Sequence, residues 1–166
     1  MYSKLLLPTD GSHDSHAAVE HATALARATG AGVVVIEVIE SPHEVWGRAS
    51  AAGWLPAGDG FLTEENVAQI REAERRAATQ HLHALEGELR RAGLDRVESK
   101  IVEGKPGPAI IEAARETGCD AIIMATHGRS GLGRLLLGSV SEYVARCSEC
   151  AVVLVPAGRH GRGAAD

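Results

Sequence analysis

Four short, almost uninterrupted aliphatic runs recur along the chain, and they constrain its fold more than any other feature. They occupy residues 4–7, 33–39, 121–125 and 151–155. A run of this kind is typical of a parallel strand that is covered on both faces of its sheet. A fifth run, residues 97–102, alternates polar and apolar side chains. That alternation predicts a half-exposed strand at a sheet edge.

Helical patterns separate the predicted strands. The alanine-rich residues 17–28 are followed by Gly30, and residues 108–117 are followed by Gly118. Glycine just after a helical pattern commonly ends a helix. Between these two helices lies a longer one, whose predicted apolar face consists of Val67, Ile70, Ala77, His81, Leu85 and Leu89. Strands and helices therefore alternate along the chain.

This alternation predicts an α/β protein with an open, doubly wound, five-stranded parallel sheet and helices on both faces, a Rossmann-like fold. We expect strand order 3-2-1-4-5, with the first and fourth strands flanking the point where the order reverses. A ligand should bind there, beyond the carboxyl ends of these strands. We predict one domain over residues 1–157, with residues 41–62 as a long inserted loop and residues 158–166 as a flexible tail.

The inserted loop holds both tryptophans and the only phenylalanine of a chain that is 3% aromatic. Loops of this length in compact domains are usually functional or disordered. Three interpretations therefore stay open for it: a lid over the ligand, a subunit contact, and a disordered segment with a short helix.

Composition narrows the class of protein. Seventeen lysines and arginines against 22 acidic residues give a net charge of −5 over 166 residues, which argues against nucleic acid as a partner. The apolar stretch near Met1 is too short for a signal peptide or a membrane span, so we expect a cytoplasmic protein without a membrane partner.

Three cysteines, an odd number, argue against a disulfide framework. The pair Cys147-x-x-Cys150 is a weak metal or redox signal, and we expect both thiols to be buried as small apolar groups. The eight histidines are scattered along the chain. We assign them to surfaces and predict no metal ligands.

A glycine-rich segment over residues 128–139 follows the fourth predicted strand and leads into a helical pattern over residues 140–147. Glycines let backbone N–H groups approach an anion, and the amino end of the next helix adds further donors and a positive dipole. The segment is therefore a candidate phosphate site. Ser139 lies at its end, where it could either begin a capping box with Glu142 or contact phosphate.

Asp10 follows the first strand and should lie at the same edge of the sheet. A carboxylate there suits a ribose hydroxyl or, through water, a metal ion. The alternative is that Asp10 or Ser12 only caps the next helix.

Three stretches of the chain together closely resemble a universal stress protein. They are residues 8–12 (PTDGS), residues 124–140 (MATHGRSGLGRLLLGSV) and residues 152–156 (VVLVP). The resemblance extends over residues 2–157, which is nearly the whole chain.

In the ATP-binding members of that family the motif is Gly-x-x-Gly, nine residues, and then Gly-Ser or Gly-Thr. Transferred to this sequence, the second glycine is Gly128, the third is Gly138 and the hydroxyl residue is Ser139. The first position holds Ala125, which keeps the backbone N–H but would be unfavourable if the position needed a positive φ.

The resemblance implies ATP as the ligand, with or without Mg²⁺, and a stress-response or signalling role in a homodimer. It implies that Asp10 holds the ribose, that main-chain atoms near Val38 hold adenine, and that amides of residues 138–140 hold phosphate. The complete set of predicted binding residues is Pro8, Thr9, Asp10, Val38, Met124, Ala125, His127, Gly128, Arg129, Gly138, Ser139, Val140 and Ser141. Strand 151–155 is the predicted dimer contact, because an apolar edge strand is a liability for a monomer.

Two further functions stay open. A slow ATPase or autophosphorylating enzyme would need a base for water or hydroxyl, and only Asp10 and His127 stand near the predicted phosphates. The chain has no Gly-x-x-x-x-Gly-Lys P-loop string, and we assign no catalytic residue. The other alternative is a dimeric interaction module that binds no nucleotide. The sequence identifies no protein partner.

Overall fold

A five-stranded parallel sheet forms the centre of the computed structural model, which describes residues 1–51, 63–126 and 137–156. The elements in chain order are β1 Lys4–Thr9, α1 His13–Thr29, β2 Gly32–Ile39, α2 Pro42–Ala51, α3 Glu64–Arg91, β3 Val97–Glu103, α4 Pro106–Thr117, β4 Ala121–Ala125, α5 Ser139–Cys147 and β5 Ala151–Val155. Across these segments no helix is long and apolar enough to cross a membrane.

The strand order is β3-β2-β1-β4-β5, and every pairing is parallel, which confirms the predicted topology. In the centre of the sheet, Leu5 of β1 is paired with Val33 of β2 on one side and Ala121 of β4 on the other. β3 lies at one edge, as its alternating pattern predicted, and β5 lies at the other. Because β1 and β4 are neighbours, the loops that follow them share one edge of the sheet.

Alternation along the strands divides the core into two layers, which confirms the prediction of helices on both faces. Leu5 and Leu7 of β1 enter the layer that α1 and α3 cover, whereas Leu6 enters the layer under α4 and α5. All three leucines are fully buried. These strands read as continuous aliphatic runs because each face has its own helical layer.

The apolar face predicted for the long helix is only partly right. Leu85 and Leu89 of α3 are buried as predicted, but the other buried positions are Ala78 and Leu82, whereas Ala77 is exposed. The predicted face is therefore displaced by one residue over the middle of the helix.

His81, which the sequence placed on a surface, lies half-buried on α3. Its Nδ1 lies 2.7 Å from Oε2 of Glu37, a buried carboxylate of β2. Successive side chains of a strand point to opposite faces of the sheet, so Glu37 shares its face with apolar neighbours. His81 of α3 gives the buried carboxylate a polar partner there.

The predicted inserted loop begins with a helix, α2, rather than with irregular chain. Pro42 is its first residue, and proline suits that position because its φ is already helical and no N–H partner is needed there. A short helix in this segment was part of one of the three interpretations left open, but weak periodicity did not place it. Residues 52–62 and the predicted tail, residues 158–166, lie outside the described residues.

One exposed thiol departs from the sequence prediction. Cys119 is buried and Cys150 is half-buried, but Cys147 is exposed at the end of α5. The expectation that both cysteines of the C-x-x-C pair are buried is therefore wrong for Cys147.

Asp120 joins the beginnings of β1 and β4. Its Oδ2 accepts hydrogen bonds from the backbone N–H of Ser3 (2.6 Å), the hydroxyl of Ser3 (2.7 Å) and the backbone N–H of Lys4 (2.8 Å). These donors stabilise the charged carboxylate and lower the pKa of Asp120 to about 2. The contact lies at the edge of the sheet opposite to the carboxyl ends of the strands.

Candidate functional site

A cavity of about 640 Å³ opens at the carboxyl ends of the strands, where the strand order reverses. This volume is typical of small-molecule sites, and the position is the one at which doubly wound sheets bind ligands. The end of β1 and the end of β4 form one wall with the beginning of α5. The end of β2 and the beginning of α4 form the other wall.

Ten of the thirteen predicted binding residues line this one cavity. They are Pro8, Thr9, Asp10, Val38, Met124, Ala125, Gly138, Ser139, Val140 and Ser141. The other three, His127, Gly128 and Arg129, lie outside the described residues. Residues more than 130 positions apart in sequence therefore meet at one place, because parallel strands bring their carboxyl ends to the same edge.

The amino end of α5 opens into the cavity. Its N-cap is Gly138, with φ −62° and ψ 150°, and no side-chain hydrogen bond caps it within the described chain. Ser139 is the first helical residue, so the predicted Ser139–Glu142 capping box is wrong: the cap position is one residue earlier, at a glycine. The first N–H groups of a helix have no partner within the helix, and here the residues that carry them line the cavity.

Gly138 does not need the conformational freedom of glycine, since its φ of −62° suits any residue. If glycine is required there, the reason is space rather than backbone angle. Ala125 raises the same question at the first motif position. It ends β4, and no described non-glycine residue has a positive φ, so the alanine fits its backbone without strain.

The Ser141 hydroxyl is hydrogen-bonded within the protein. Ser141 is 2% exposed, and its hydroxyl lies 2.9 Å from the carbonyl oxygen of Thr126 and 2.8 Å from that of Gly138. The single hydroxyl proton is donated to one of these oxygens at a time. Ser141 is one of the predicted binding residues, and it lines the cavity while its hydroxyl is bound to these carbonyl groups.

The alternatives left open for Asp10 and Ser12 are now separated. Ser12 is the N-cap of α1, and its side chain accepts a hydrogen bond from the N–H of Ser15 at 3.4 Å. Asp10 lines the cavity, and its Oδ1 accepts a hydrogen bond from the N–H of Ser12 at 3.0 Å. That turn holds the carboxylate at the wall of the cavity.

The wall formed by β2 and α4 was missed by the sequence analysis, apart from Val38. Its other members are Glu40, Lys105, Pro106, Gly107, Pro108 and Ile110. The only sequence signal for them was their position after the second and third strands. The polar pattern of β3 indicated an edge strand and gave no sign of a cavity beside it.

This second wall is poor in backbone hydrogen-bond donors. Pro106 and Pro108 carry no backbone N–H, so the first turn of α4 offers far fewer donors than the first turn of α5. Gly107 packs against α5, where a Cβ built on it would lie 2.6 Å from Cδ1 of Tyr143. The two helix beginnings therefore lie side by side over the same face of the sheet.

A doubly wound sheet whose cavity lies at the reversal of strand order, beside a helix amino end, defines a Rossmann-like α/β protein. The sequence profile of the universal stress protein family matches residues 1–156, and the chain belongs to that family. The resemblance inferred from the motifs is thus confirmed.

Individual relatives agree with this assignment. Universal stress protein MJ0577 of Methanocaldococcus jannaschii is 32% identical over 156 residues, which cover 93% of this chain and 95% of the relative. Universal stress protein MJ0531 of the same organism is 31% identical over 155 residues, covering 93% of this chain and 82% of the relative.

Solved structures show the same fold. The structure of MJ0577 has a TM-score of 0.78 at 29% identity and covers 96% of this chain and 99% of its own. A universal stress protein solved in complex with cAMP has a TM-score of 0.65 at 28% identity, covering 95% and 99% of the two chains.

Proposed function

We propose that this chain binds an adenine nucleotide, with ATP as the principal ligand, in the cavity between β1, β4 and the beginnings of α4 and α5. The observation that carries the proposal is the amino end of α5, which has a glycine N-cap and lines a cavity at the switch point of the sheet. Main-chain donors and a positive helix dipole at such a place favour a phosphate.

The two walls suggest how the nucleotide is oriented. The α5 wall supplies the N–H groups of Ser139, Val140 and Ser141 for phosphate. The apolar part of the opposite wall, with Val38, Ile110 and two prolines, suits the flat base. Asp10 lies on the wall at the end of β1, where its carboxylate can accept hydrogen bonds from ribose hydroxyls.

The relative solved with cAMP supports adenine as the base, because cAMP is an adenine nucleotide. That relative is 28% identical to this chain and covers 95% of it. A role in stress response or signalling follows from the same family membership. We assign no reaction to the cavity, and cytoplasmic location stays a prediction from the sequence.

A homodimer through β5 is part of this proposal. β5 is an edge strand of the described sheet, with Ala151 exposed and the next three residues half-buried. An edge strand with apolar side chains and unpaired backbone groups is stabilised by pairing with a second strand. A symmetry-related β5 would provide that partner.

Native mass spectrometry of gently purified protein tests the ligand directly. We expect an adenine nucleotide to copurify, and its mass distinguishes ATP, ADP, AMP and cAMP. Added [γ-³²P]ATP then separates the alternatives: released phosphate or labelled protein would indicate an enzyme. Protein that is ligand-free and stays so at millimolar ATP would indicate an interaction module.

A further inference from the structure

We propose that Lys105 is a specificity-determining residue that contacts the phosphate groups of the bound nucleotide and favours ligands with more phosphates. This inference rests on the nucleotide site proposed above. It assigns a role to a side chain outside the glycine-rich segment and outside the predicted set of binding residues.

The end of β3 brings Lys105 to the cavity. The N–H of Gly104 donates to the carbonyl of Ile39 over 3.0 Å, so the sheet pairing continues to the last residue before the lysine. Gly104 then turns the chain with φ +135°, which suits glycine alone. Lys105 follows as the N-cap of α4 and lines the cavity, and it provides no side-chain cap bond to its own helix.

Packing between α4 and α5 places Lys105 close to the phosphate donors. Gly107 is the second residue of α4, and Tyr143 is the fifth residue of α5, and these two residues are in direct contact. Packed helix axes lie about 8–10 Å apart. The four-carbon stem of lysine at the start of one helix can therefore extend toward the first turn of the other.

The two helices contribute different chemistry at this point. α5 presents backbone N–H groups, whereas two prolines remove two such donors from the first turn of α4. The polar group that α4 offers is instead the ammonium of its N-cap residue. An ammonium is a compact point charge, well suited to a flexible polyphosphate.

The charges that line the cavity make this ammonium important for binding phosphate groups. Among the described lining residues, Lys105 is the only basic side chain, and Asp10 and Glu40 are both acidic. Each added phosphate brings more negative charge into the cavity. A lysine contact should therefore matter more for ATP than for ligands with fewer phosphates.

The test compares Lys105→Met and Lys105→Arg with the wild type against adenosine, AMP, ADP and ATP. The control is Lys100→Met, which removes the same charge from β3. Lys100 is an exposed lysine whose Nζ lies 2.7 Å from Oε2 of Glu116, near the carboxyl end of α4 and far from the cavity. Calorimetry or competition with a fluorescent nucleotide gives the dissociation constants.

We expect Lys105→Met to weaken ATP binding about tenfold or more, the loss that removal of a charge-assisted hydrogen bond gives. Adenosine binding should change less than about twofold on the same reasoning, and Lys105→Arg should keep most of the ATP affinity. Lys100→Met should match the wild type. Equal losses for adenosine and ATP would overturn the proposal, because they would place Lys105 at the base or ribose. An unchanged ATP affinity would overturn it too.

Glu40→Gln is an independent test, because its effect on ATP affinity should have the opposite sign. Removing a negative charge from the same wall should tighten ATP binding and leave adenosine unchanged, opposite to Lys105→Met. Weaker ATP binding by this variant would contradict the electrostatic account. Wild-type protein that binds no nucleotide would instead overturn the proposed function itself, so the two failures are distinguishable.

Discussion

The N–H of Gly138 donates to the carbonyl oxygen of Thr126 over 2.8 Å, although the two residues are twelve positions apart. This bond joins the end of β4 to the beginning of α5. The hydroxyl of Ser141 reinforces it from the first turn of the helix. The base of the glycine-rich segment is therefore closed by the protein's own hydrogen bonds, with the helix amino end held against the cavity.

Two neighbouring serines should respond differently to substitution by alanine. Ser141→Ala should lower the free energy of unfolding by about 1 kcal/mol, because both carbonyl partners keep a backbone donor. Ser139→Ala, at an exposed position, should leave stability within about 0.5 kcal/mol and weaken ATP binding instead. Urea unfolding and calorimetry measure the two effects, and a reversed pattern would contradict the assigned roles.

Gly107→Ala should destabilise the protein even though alanine is the better helix former. The added Cβ would lie 2.6 Å from Cδ1 and 3.3 Å from Cβ of Tyr143, so rotation of the ring alone cannot relieve the contact. Overpacking costs about 1–3 kcal/mol, against a propensity gain of about 1 kcal/mol.

The double variant supplies the control for this contact. In a Tyr143→Ala background the ring is gone, and Gly107→Ala should then be neutral or stabilising. Chemical denaturation of all four proteins gives the coupling energy. Additive changes in the free energy of unfolding would show that Gly107 and Tyr143 are not in steric contact.

Acid stability should depend on Asp120. Its pKa is lowered from 3.8 to about 2 by the hydrogen bonds from Ser3 and Lys4. A lowered pKa in the folded state gives stability that is fully present above the unfolded value and is lost as the pH falls toward the folded one. The loss should therefore occur between about pH 4 and pH 2.

Asp120→Asn removes this titration. The melting temperature of the variant should be lower than that of the wild type at neutral pH, and the two should converge as the pH approaches 2. Thermal scans from pH 7 to pH 2 measure the difference. A gap that stays constant across this range would show that the carboxylate charge contributes nothing.

Substitution in β5 tests the homodimer. Val153→Lys puts a charge on a half-buried position of the edge strand and should shift the protein to monomers. Val102→Lys makes the same change at a half-buried position of the other edge strand, β3, and should leave the dimer intact. Sedimentation velocity compares them, and a Val153→Lys protein that is still fully dimeric would exclude this interface.

Sequence reasoning predicted the fold well because β1, β2 and β4 are buried on both faces and read as unbroken aliphatic runs. Sequence reasoning failed where the local pattern does not match the role that a residue has in the folded structure. Gly138 has no capping side chain, so the sequence placed the helix cap one residue late at Ser139.

Apart from Val38, the predicted residues of the cavity belong to one wall only. Motif residues after β1 and β4 could be identified because glycines and a carboxylate there have a recognisable chemistry. Lys105 and its neighbours follow a polar edge strand, which carries no such signal. The start of α4 borders the same cavity because Gly107 packs on Tyr143 of α5. Contact between two helix beginnings leaves no periodic signal in a single sequence.

Isothermal titration of wild-type protein and Gly138→Val with ATP and Mg²⁺ tests the central claim most directly. The φ of −62° at Gly138 accepts valine, so the variant should fold, with an unchanged circular dichroism spectrum, while its side chain occupies the space of the phosphates. The account predicts saturable binding by the wild type and none by the folded variant. No binding by the wild type at millimolar ATP, or equal binding by both proteins, would contradict it.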